Sequence, residues 1–395
     1  MIMAKEWIWQ SPNYPHFSYD ESILNPLLDE LVKNEERLKD LIVNNELDEI
    51  DLQIQNLSNE IISSADIEGE ILKRESVRSS LRKKLDENFN CFNDNFSTKQ
   101  SDNYANILLD TNLNKNALTI ERLNGWHNAL FESGYSGLHK INVATFRKDN
   151  MQVVSGKIGK EKVHYEAPLV KDIEKNMQNF LYFCENSTLN PYLKSAIAHI
   201  YFVIIHPYDD GNGRIARAIA NFLLPNKNIK LYSLSQQINI HKKEYYEILE
   251  KTNKYNEKCD ISHWLSWHLK MTNLAMEHTL KTIDRIIYKT QFWDIFKNAN
   301  LNKNQQKVLN KILDIGLNNF KGELNISKYV SIAKVNVATA NKEIEELCKM
   351  GCLVKNGKGF SLVKDLQKRI DNGIDDVRNK EQDSTPNTHK AKRRR

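Results

Sequence analysis

The sequence predicts a mainly α protein, and three observations carry that expectation. Apolar residues recur at steps of three and four through most of residues 20–85 and 105–298. Strand character is confined to two short pairs of segments, 151–154 with 162–165 and 353–354 with 360–362, each pair separated by a glycine-containing turn. The helical runs also break where they should, at Gly69 and at His206-Pro207.

Length and composition bound what these helices can build. With 395 residues, 40% hydrophobic and 27% charged, the chain has material for two or three packed domains, which excludes wholesale disorder. No apolar run approaches the roughly 18–20 residues that span a bilayer. The start, MIMAKEWIWQ, is too polar for a signal peptide. The expectation is a soluble cytoplasmic protein with no membrane partner. Its five cysteines (Cys91, Cys184, Cys259, Cys348, Cys352) lack metal-site or disulfide-framework spacing and read as reduced thiols. The formal charge of +5 resides in the tail, where residues 378–395 hold seven basic and two acidic side chains. The body is therefore charge-balanced, and the tail at 366–395 reads as a basic disordered arm.

From the N-terminus, an aromatic and proline-rich strap (Trp7, Trp9, Pro12, Tyr14, Pro15, Phe17, Tyr19) precedes a helix over 20–43. A second helix carries Leu47, Ile50, Ile54, Leu57, Ile61 and Ala65 on one face and stops at Gly69. A third covers 74–85, and the Asn-rich stretch 86–104 reads as a linker closing an N-terminal region, 1–104. A core region follows at 105–298, helical apart from the hairpin at 151–165.

Chemistry concentrates in LKSAIAHIYFVIIHPYDDGNGRIARAIANFLL, residues 193–224. A hydrophobic helix runs into His206-Pro207, and the proline biases His206 towards an extended backbone. Asp209 and Asp210 follow, then Gly211-Asn212-Gly213, then a new helix with Arg214 and Arg217 three apart on one face. Glycines allow a tight loop, and the helix start adds unpaired N–H donors and positive partial charge. Two arginines supply bidentate phosphate donors. A loop carboxylate can hold a Mg²⁺ or Mn²⁺ that also takes phosphate oxygens, and one histidine stands ready as a base. The parts suit a polyphosphate, a divalent metal and a proton transfer.

HPYDDGNGRIAR resembles the signature of the Fic (filamentation induced by cAMP) family, HPFx(D/E)GNGRxxR. The match runs over His206, Pro207, Asp210, Gly211, Asn212, Gly213, Arg214 and Arg217. Tyr208 replaces the family phenylalanine and adds a hydroxyl that needs a partner. The resemblance implies a Fic-type helical core with a hairpin flap. It also implies transfer of AMP from ATP, the co-substrate, to a Ser, Thr or Tyr hydroxyl of a target protein. On that reading His206 takes the hydroxyl proton and Asp210 binds the metal. Gly211, Asn212 and Gly213 hold phosphates, Arg214 reaches the inner ones and Arg217 the γ-phosphate. Tyr246 and Asn253 are similar to a family tyrosine and asparagine that border the nucleoside; helix-face packing and an Asn cap explain them equally well. The flap, 151–165, would pair its edge with an extended segment of the target.

Ser64-Ala65-Asp66-Ile67-Glu68-Gly69 is similar to the family's inhibitory motif, (S/T)xxxE(G/N). Ser64 and Glu68 share a helix face, and a carboxylate near a helix C-terminus calls for a cationic partner. The resemblance names Arg217 as that partner and identifies a self-inhibited class with an N-terminal inhibitory helix. One charged hydrogen-bonded pair is worth about 1.5–3 kcal/mol, whereas moving a two-state system from 1:99 to 99:1 takes about 5.5 kcal/mol. Glu68 would therefore act by denying the γ-phosphate its arginine rather than by locking the fold. It could equally position water for removal of AMP, and the two directions stay open.

Residues 301–365 read as helices at 304–313, 326–332 and 337–350 followed by a hairpin, an order that resembles a winged helix-turn-helix. Eleven lysines against six acidic residues suit phosphate contacts. Yet Glu343, Glu345 and Glu346 crowd the third helix, leaving Asn336, Thr339, Asn341 and Lys342 to read bases. DNA at 301–365 and the basic tail, or a docked protein, both remain candidate partners, as does a second copy of the chain in a homodimer. A transcription regulator using the Fic-like pocket as a nucleotide sensor is the competing reading. Gly156 and Gly159 lack P-loop spacing, and the histidine spacings complete no zinc set.

Overall fold

In a computed structural model of the chain, the described residues are 6–45, 49–86, 96–156, 160, 162–225, 231–315, 323–357 and 359–363. Two units emerge, Met1–Leu280 and Lys281–Arg395. The basic tail, Leu47 and Cys91 lie outside the described residues.

The aromatic strap is stitched along 253–261 by backbone hydrogen bonds: Ile8 N to Asn253 O at 2.9 Å, Tyr255 N to Glu6 O at 2.8 Å, and Ile261 N to Ser18 O at 3.0 Å. Helix α1 (Glu21–Asn44) begins at Asp20, whose carboxylate accepts from Ser22 N at 2.9 Å. Helix α2 (Glu49–Ile67) buries Ile54, Leu57, Ile61 and Ala65 against α3 (Arg74–Leu85). Ile50, expected on that face, is exposed, because it sits in the first turn of α2, before the packed stretch begins. Gly69, at φ 83°, turns the chain after α2, with Glu70 N donating to Ala65 O at 3.0 Å.

The linker expected over 86–104 ends sooner than its composition suggested. Helix α4 (Lys99–Leu113) starts within it, because Thr98 and Ser101 form a capping box. Tyr104 and Ala105 on this helix are buried against α2 and α3, so the expected boundary at 104/105 falls inside an element.

Helix α5 (Ile120–Leu130) leads to a short hairpin, β1 (Tyr135–Ser136) with β2 (His139–Lys140), and then to the flap, β3 (Gln152–Ser155) with β4 (Lys162–Glu166). Both hairpins are isolated two-stranded antiparallel sheets. Helix α6 (Ile173–Asn186) packs on α7 (Pro191–Ile205), which packs on α8 (Asn212–Leu223). Helix α7 is buried almost all round, which is why its sequence lacks a polar face. Trp126, Phe180, Tyr201, Phe202, Tyr208 and Ile215 share its core. Helices α9 (Leu234–Ile240) and α10 (Lys242–Thr252) follow, with α9 against α2. The first unit ends within α11 (Ser262–Phe296). Among the described residues no helix is long and apolar enough to cross a membrane.

The second unit contains α12 (Lys303–Ile315), α13 (Ile326–Ala333), α14 (Val337–Lys349) and the hairpin β5 (Leu353–Asn356) with β6 (Gly359–Leu362). Two expectations change here. Glu343 does not crowd the outer face of α14: it is buried and accepts from Tyr329 OH at 2.9 Å, Asn302 Nδ2 at 2.9 Å and Asn304 Nδ2 at 3.1 Å. Asn336 caps α14 by accepting from Thr339 N at 2.8 Å, so its side chain is engaged.

Replacing Glu343 by Leu strands the buried Tyr329 hydroxyl in the interior and frees Asn302 and Asn304 nearer the surface. Glu343→Leu is expected to lower unfolding free energy by about 2–3 kcal/mol in urea titration, and Glu343→Gln by less than half of that.

Candidate active site

The loop between α7 and α8 is closed by its own side chains. Asn212 Oδ1 accepts from Tyr208 N at 3.0 Å and Asn212 Nδ2 donates to Tyr208 O at 2.7 Å, so this carboxamide shapes the loop while its backbone N–H stays in the first turn of α8. Gly211, at φ 79°, caps α8. A side chain there would meet Phe131 Cε2 at 2.6 Å, so the position needs glycine both for its backbone and for space. The Tyr208 hydroxyl finds its partner in Asn124 Oδ1 at 2.8 Å.

His206 departs from the extended backbone that Pro207 suggested. It adopts φ 51°, ψ 58°, with its N–H donating to Phe202 O at 3.0 Å. Proline excludes only the right-handed helical region for the residue before it. The left-handed conformation both ends α7 and satisfies one of its terminal carbonyls. The His206 ring is half-buried, with Nδ1 3.3 Å from Val203 O; a proton on Nδ1 leaves the Nε2 lone pair available. Burial, with Arg147 nearby, holds this imidazole down to about 4, against the opposing pull of the Val203 carbonyl and the Asp210 and Glu68 carboxylates.

Further anchors come from segments that carried no signal in the sequence. Arg147 is buried and donates through Nε to His206 O at 2.9 Å, through NH1 to Asp149 O at 2.8 Å and through NH2 to Pro168 O at 2.5 Å. Its own N–H reaches Pro207 O at 2.8 Å. His127 is fully buried and stacks on Tyr208 at 4.2 Å. Its Nδ1 accepts from Ala144 N at 3.0 Å, which puts the proton on Nε2, 3.2 Å from Asp210 O. Burial lowers its pKa to about 4, so it stays neutral. Asp209 holds the neighbouring loop, accepting from Asn142 N and Nδ2 at 2.8 Å each.

Asp210 is half-exposed, with Oδ1 accepting from Gly211 N at 2.5 Å and Oδ2 from Ser136 Oγ. Among the described residues no group of three His, Cys, Asp or Glu side chains is arranged to hold a metal. A lone, accessible carboxylate beside a helix N-terminus fits a Mg²⁺ that keeps several waters and takes its remaining oxygens from a nucleotide, not one held in an all-protein cage.

Both signature arginines are buried, and both hold carboxylates from the end of α2. Arg217 donates from NH2 to Glu68 Oε1 at 2.8 Å and to Ser64 O at 2.9 Å, and from Nε to Ser64 Oγ at 2.9 Å. Burial alone would lower the Arg217 pKa, but Glu68 raises it above the ordinary value. Glu68 lies just past α2, and a Cβ added at Gly213 would collide with Glu68 Oε1. The carboxylate therefore rests on the glycine loop itself. Arg214 pairs from NH1 with Glu70 Oε1 and lies 4.6 Å over the Phe131 ring. Glu70 Oε2 accepts from Tyr104 OH at 2.7 Å. Nothing in the sequence pattern marks Glu70. Tyr246 OH donates to Ile67 O at 2.9 Å, which keeps it beside this cluster, while Asn253 is buried at the end of α10 with its O accepting from Ile8 N. Gly69 touches nothing through a hypothetical Cβ; its part is the turn.

Gly211→Ala should cost about 2 kcal/mol, partly from backbone strain and partly from the clash with Phe131. Adding Phe131→Leu is expected to recover the steric part only, which thermal unfolding of the single and double variants measures as a partial return of Tm.

Residues 117–224 match the Fic/DOC family, and residues 7–86 match a domain of unknown function, DUF4172. The chain is 34% identical over 89 residues to Protein adenylyltransferase Fic of Nematostella vectensis, covering 22% of this chain and 20% of that protein. It is 35% identical over 66 residues to Protein adenylyltransferase fic-1 of Caenorhabditis elegans, covering 17% and 12%. The chain thus spans a fifth or less of the length of these curated relatives. A crystal structure of a Fic family protein from Desulfovibrio desulfuricans G20 shares the fold at a TM-score of 0.54 and 18% identity, covering 88% of this chain and 98% of that one. Sequence match at 117–224 and a shared helical fold together make this a chain that carries a Fic/DOC family domain.

Proposed function

We propose that the chain is a protein adenylyltransferase that moves AMP from ATP to a Ser, Thr or Tyr hydroxyl of a target protein and is held at rest by Glu68. One observation carries this reading: the glycine loop, the start of α8 and two buried arginines already enclose carboxylates of the chain itself. A site that holds carboxylates this way is built for anions, and phosphates of a nucleotide are the anions its spacing suits.

In the reaction the target hydroxyl oxygen attacks the α-phosphorus. Its proton passes to Nε2 of His206, and the bond to the bridging oxygen breaks to release pyrophosphate. The low pKa keeps His206 neutral, and so able to accept that proton, across the neutral range. Arg147 fixes the backbone of His206 and of the flap base together, which sets where the hydroxyl must arrive. Arg214, Arg217 and the first N–H groups of α8 hold the phosphates against the charge that develops on them. A Mg²⁺ or Mn²⁺ on Asp210, when bound, neutralises phosphate charge.

The flap supports docking of an extended target segment. Strand β4 is tied down by Lys162 Nζ to Glu250 at 2.8 Å, His164 Nδ1 to Glu250 at 2.9 Å and Trp9 Nε1 to Glu166 O at 2.8 Å. Strand β3 is exposed throughout, so its outer edge suits strand addition. The brake acts on the nucleotide: while Glu68 occupies Arg217, the γ-phosphate lacks that partner and ATP settles in a pose unsuited to in-line attack. The same carboxylate, freed from Arg217, suits the orienting of water for reversal.

Glu68→Gly is expected to raise labelling by α-labelled ATP at least tenfold over wild type, in the chain itself or in a target from lysate. His206→Ala added to Glu68→Gly should abolish it. Equal labelling of wild type and Glu68→Gly would remove the brake from this account.

A pH profile of the Glu68→Gly variant gives a second check. With His206 held near 4 instead of the ordinary 6.5, the imidazole is a neutral base above about pH 5. The acid limb of kcat/KM should therefore fall as pH drops through about 4–5, with no inflection near 6.5.

A further inference from the structure

We propose that Glu70 governs access of a nucleotide to Arg214 as Glu68 governs access to Arg217, so that the end of α2 discriminates nucleotides by the length of their phosphate chain. The inference rests on reading the site as one for a nucleoside triphosphate, with Arg214 at the inner phosphates and Arg217 at the outermost.

Residues 68 and 70 would lie about 200° apart on a continued helix. Helix α2 instead ends at Ile67, and the left-handed turn at Gly69 swings the chain so that both carboxylates face α8. There they meet two guanidiniums three residues apart on a single face. Each arginine takes one acid from the end of α2: Glu68 on Arg217, and Glu70 on Arg214, which also has Asp210 Oδ1 at 3.8 Å on its other side. The Arg214 side chain is 4% exposed and the Glu70 carboxylate 33%, so the acid can leave for water while the arginine cannot.

Tyr104 makes the second pairing specific. Its hydroxyl donates to Glu70 Oε2 at 2.7 Å and accepts from Arg214 NH1 at 3.2 Å, closing a three-membered network. Burial of that hydroxyl raises its pKa, so it stays a proton donor to the Glu70 carboxylate.

Two separate acids on two separate arginines compete with different parts of one ligand. A diphosphate contacts only the position that Glu70 blocks. A triphosphate contacts both. Removing Glu68 therefore opens the outer position alone, and removing Glu70 opens the inner one.

Calorimetric titration of the full chain with ADP and with ATP, in excess Mg²⁺, separates these effects in wild type, Glu68→Gly, Glu70→Gln and the double variant. Glu70→Gln is expected to tighten ADP and ATP alike, by roughly five- to tenfold. Glu68→Gly should tighten ATP and leave ADP unchanged, and the double variant should combine the gains for ATP. Glu70→Ala should repeat the Glu70→Gln result, and Tyr104→Phe should give a smaller gain in the same direction. If Glu68→Gly tightens ATP while ADP affinity is unchanged or weaker without Glu70, the assignment of Glu70 is overturned and the nucleotide reading stands. Failure of every variant to bind either nucleotide overturns the nucleotide reading itself.

Discussion

Two guanidiniums sealed beneath the surface of one helix set the terms for the rest of this structure. Arg214 and Arg217 are each at most 5% exposed, and a buried charge without a counter-charge costs several kcal/mol. Arginine does not escape by losing its proton, so an anion against this face of α8 offsets that cost. At rest the end of α2 supplies it. This requirement explains features that otherwise look unrelated: why α2 packs close to α8, why its sequence ends in two acids around a glycine, and why Tyr104 on α4 points into the same spot. Phosphate and carboxylate are interchangeable to a guanidinium fork. A face that holds internal carboxylates is therefore also chemically suited to phosphate.

The cradle holding those anions is rigid for independent reasons. Its carbonyls and amides are fixed by Asn212 from within, by His127 and Asn124 from α5, and by Arg147 from the segment before the flap. None of these contacts involves Glu68 or Glu70. Exchange of one anion for another can leave the loop intact, with little reorganisation of its backbone. Arg147 carries a cost, since its buried guanidinium hydrogen-bonds only carbonyls and burial lowers its pKa, against a weaker opposing pull from Asp209. Joining His206 O and Pro168 O through one planar group is what that cost supports: the His206 turn and the segment after β4 become one body.

Much of this was legible in the sequence because it depends on local rules. The helices followed their apolar spacing, Gly69 ended α2, and HPYDDGNGRIAR marked the loop. What escaped depends on juxtaposition. The Glu70–Arg214 pair spans a left-handed turn, so no i, i+4 pattern flags it, and its third member, Tyr104, sits in a stretch whose asparagines suggested a linker. His127 and Arg147 reach the loop from 59 to 83 residues away. The His206 backbone was misjudged because proline forbids one region without choosing between the two that remain. Glu343 looked like a solvated charge on α14, and only the surrounding Tyr329, Asn302 and Asn304 reveal it as a buried acceptor.

The strength of the resting state follows from the same count of partners. One charged pair at about 1.5–3 kcal/mol falls short of the roughly 5.5 kcal/mol that a decisive two-state switch demands. Arg217, however, donates three hydrogen bonds to the α2 end, two of them to Ser64, and Arg214 adds an ion pair with Glu70 and a bond to the Tyr104 hydroxyl. Both carboxylates are about one-third exposed, which discounts each pair, so the sum approaches the threshold without far exceeding it. The segment is fastened on its other side by surface hydrogen bonds: Asn239 Nδ2 to Asp66 at 2.7 Å, Lys242 Nζ to Asp66 O at 2.9 Å and Tyr246 OH to Ile67 O at 2.9 Å. These are the cheapest contacts to break, because water replaces them at once. A segment fastened this way is held strongly where it meets the arginines of α8 and weakly where it meets α9 and α10, so its contacts part most easily on the side away from α8.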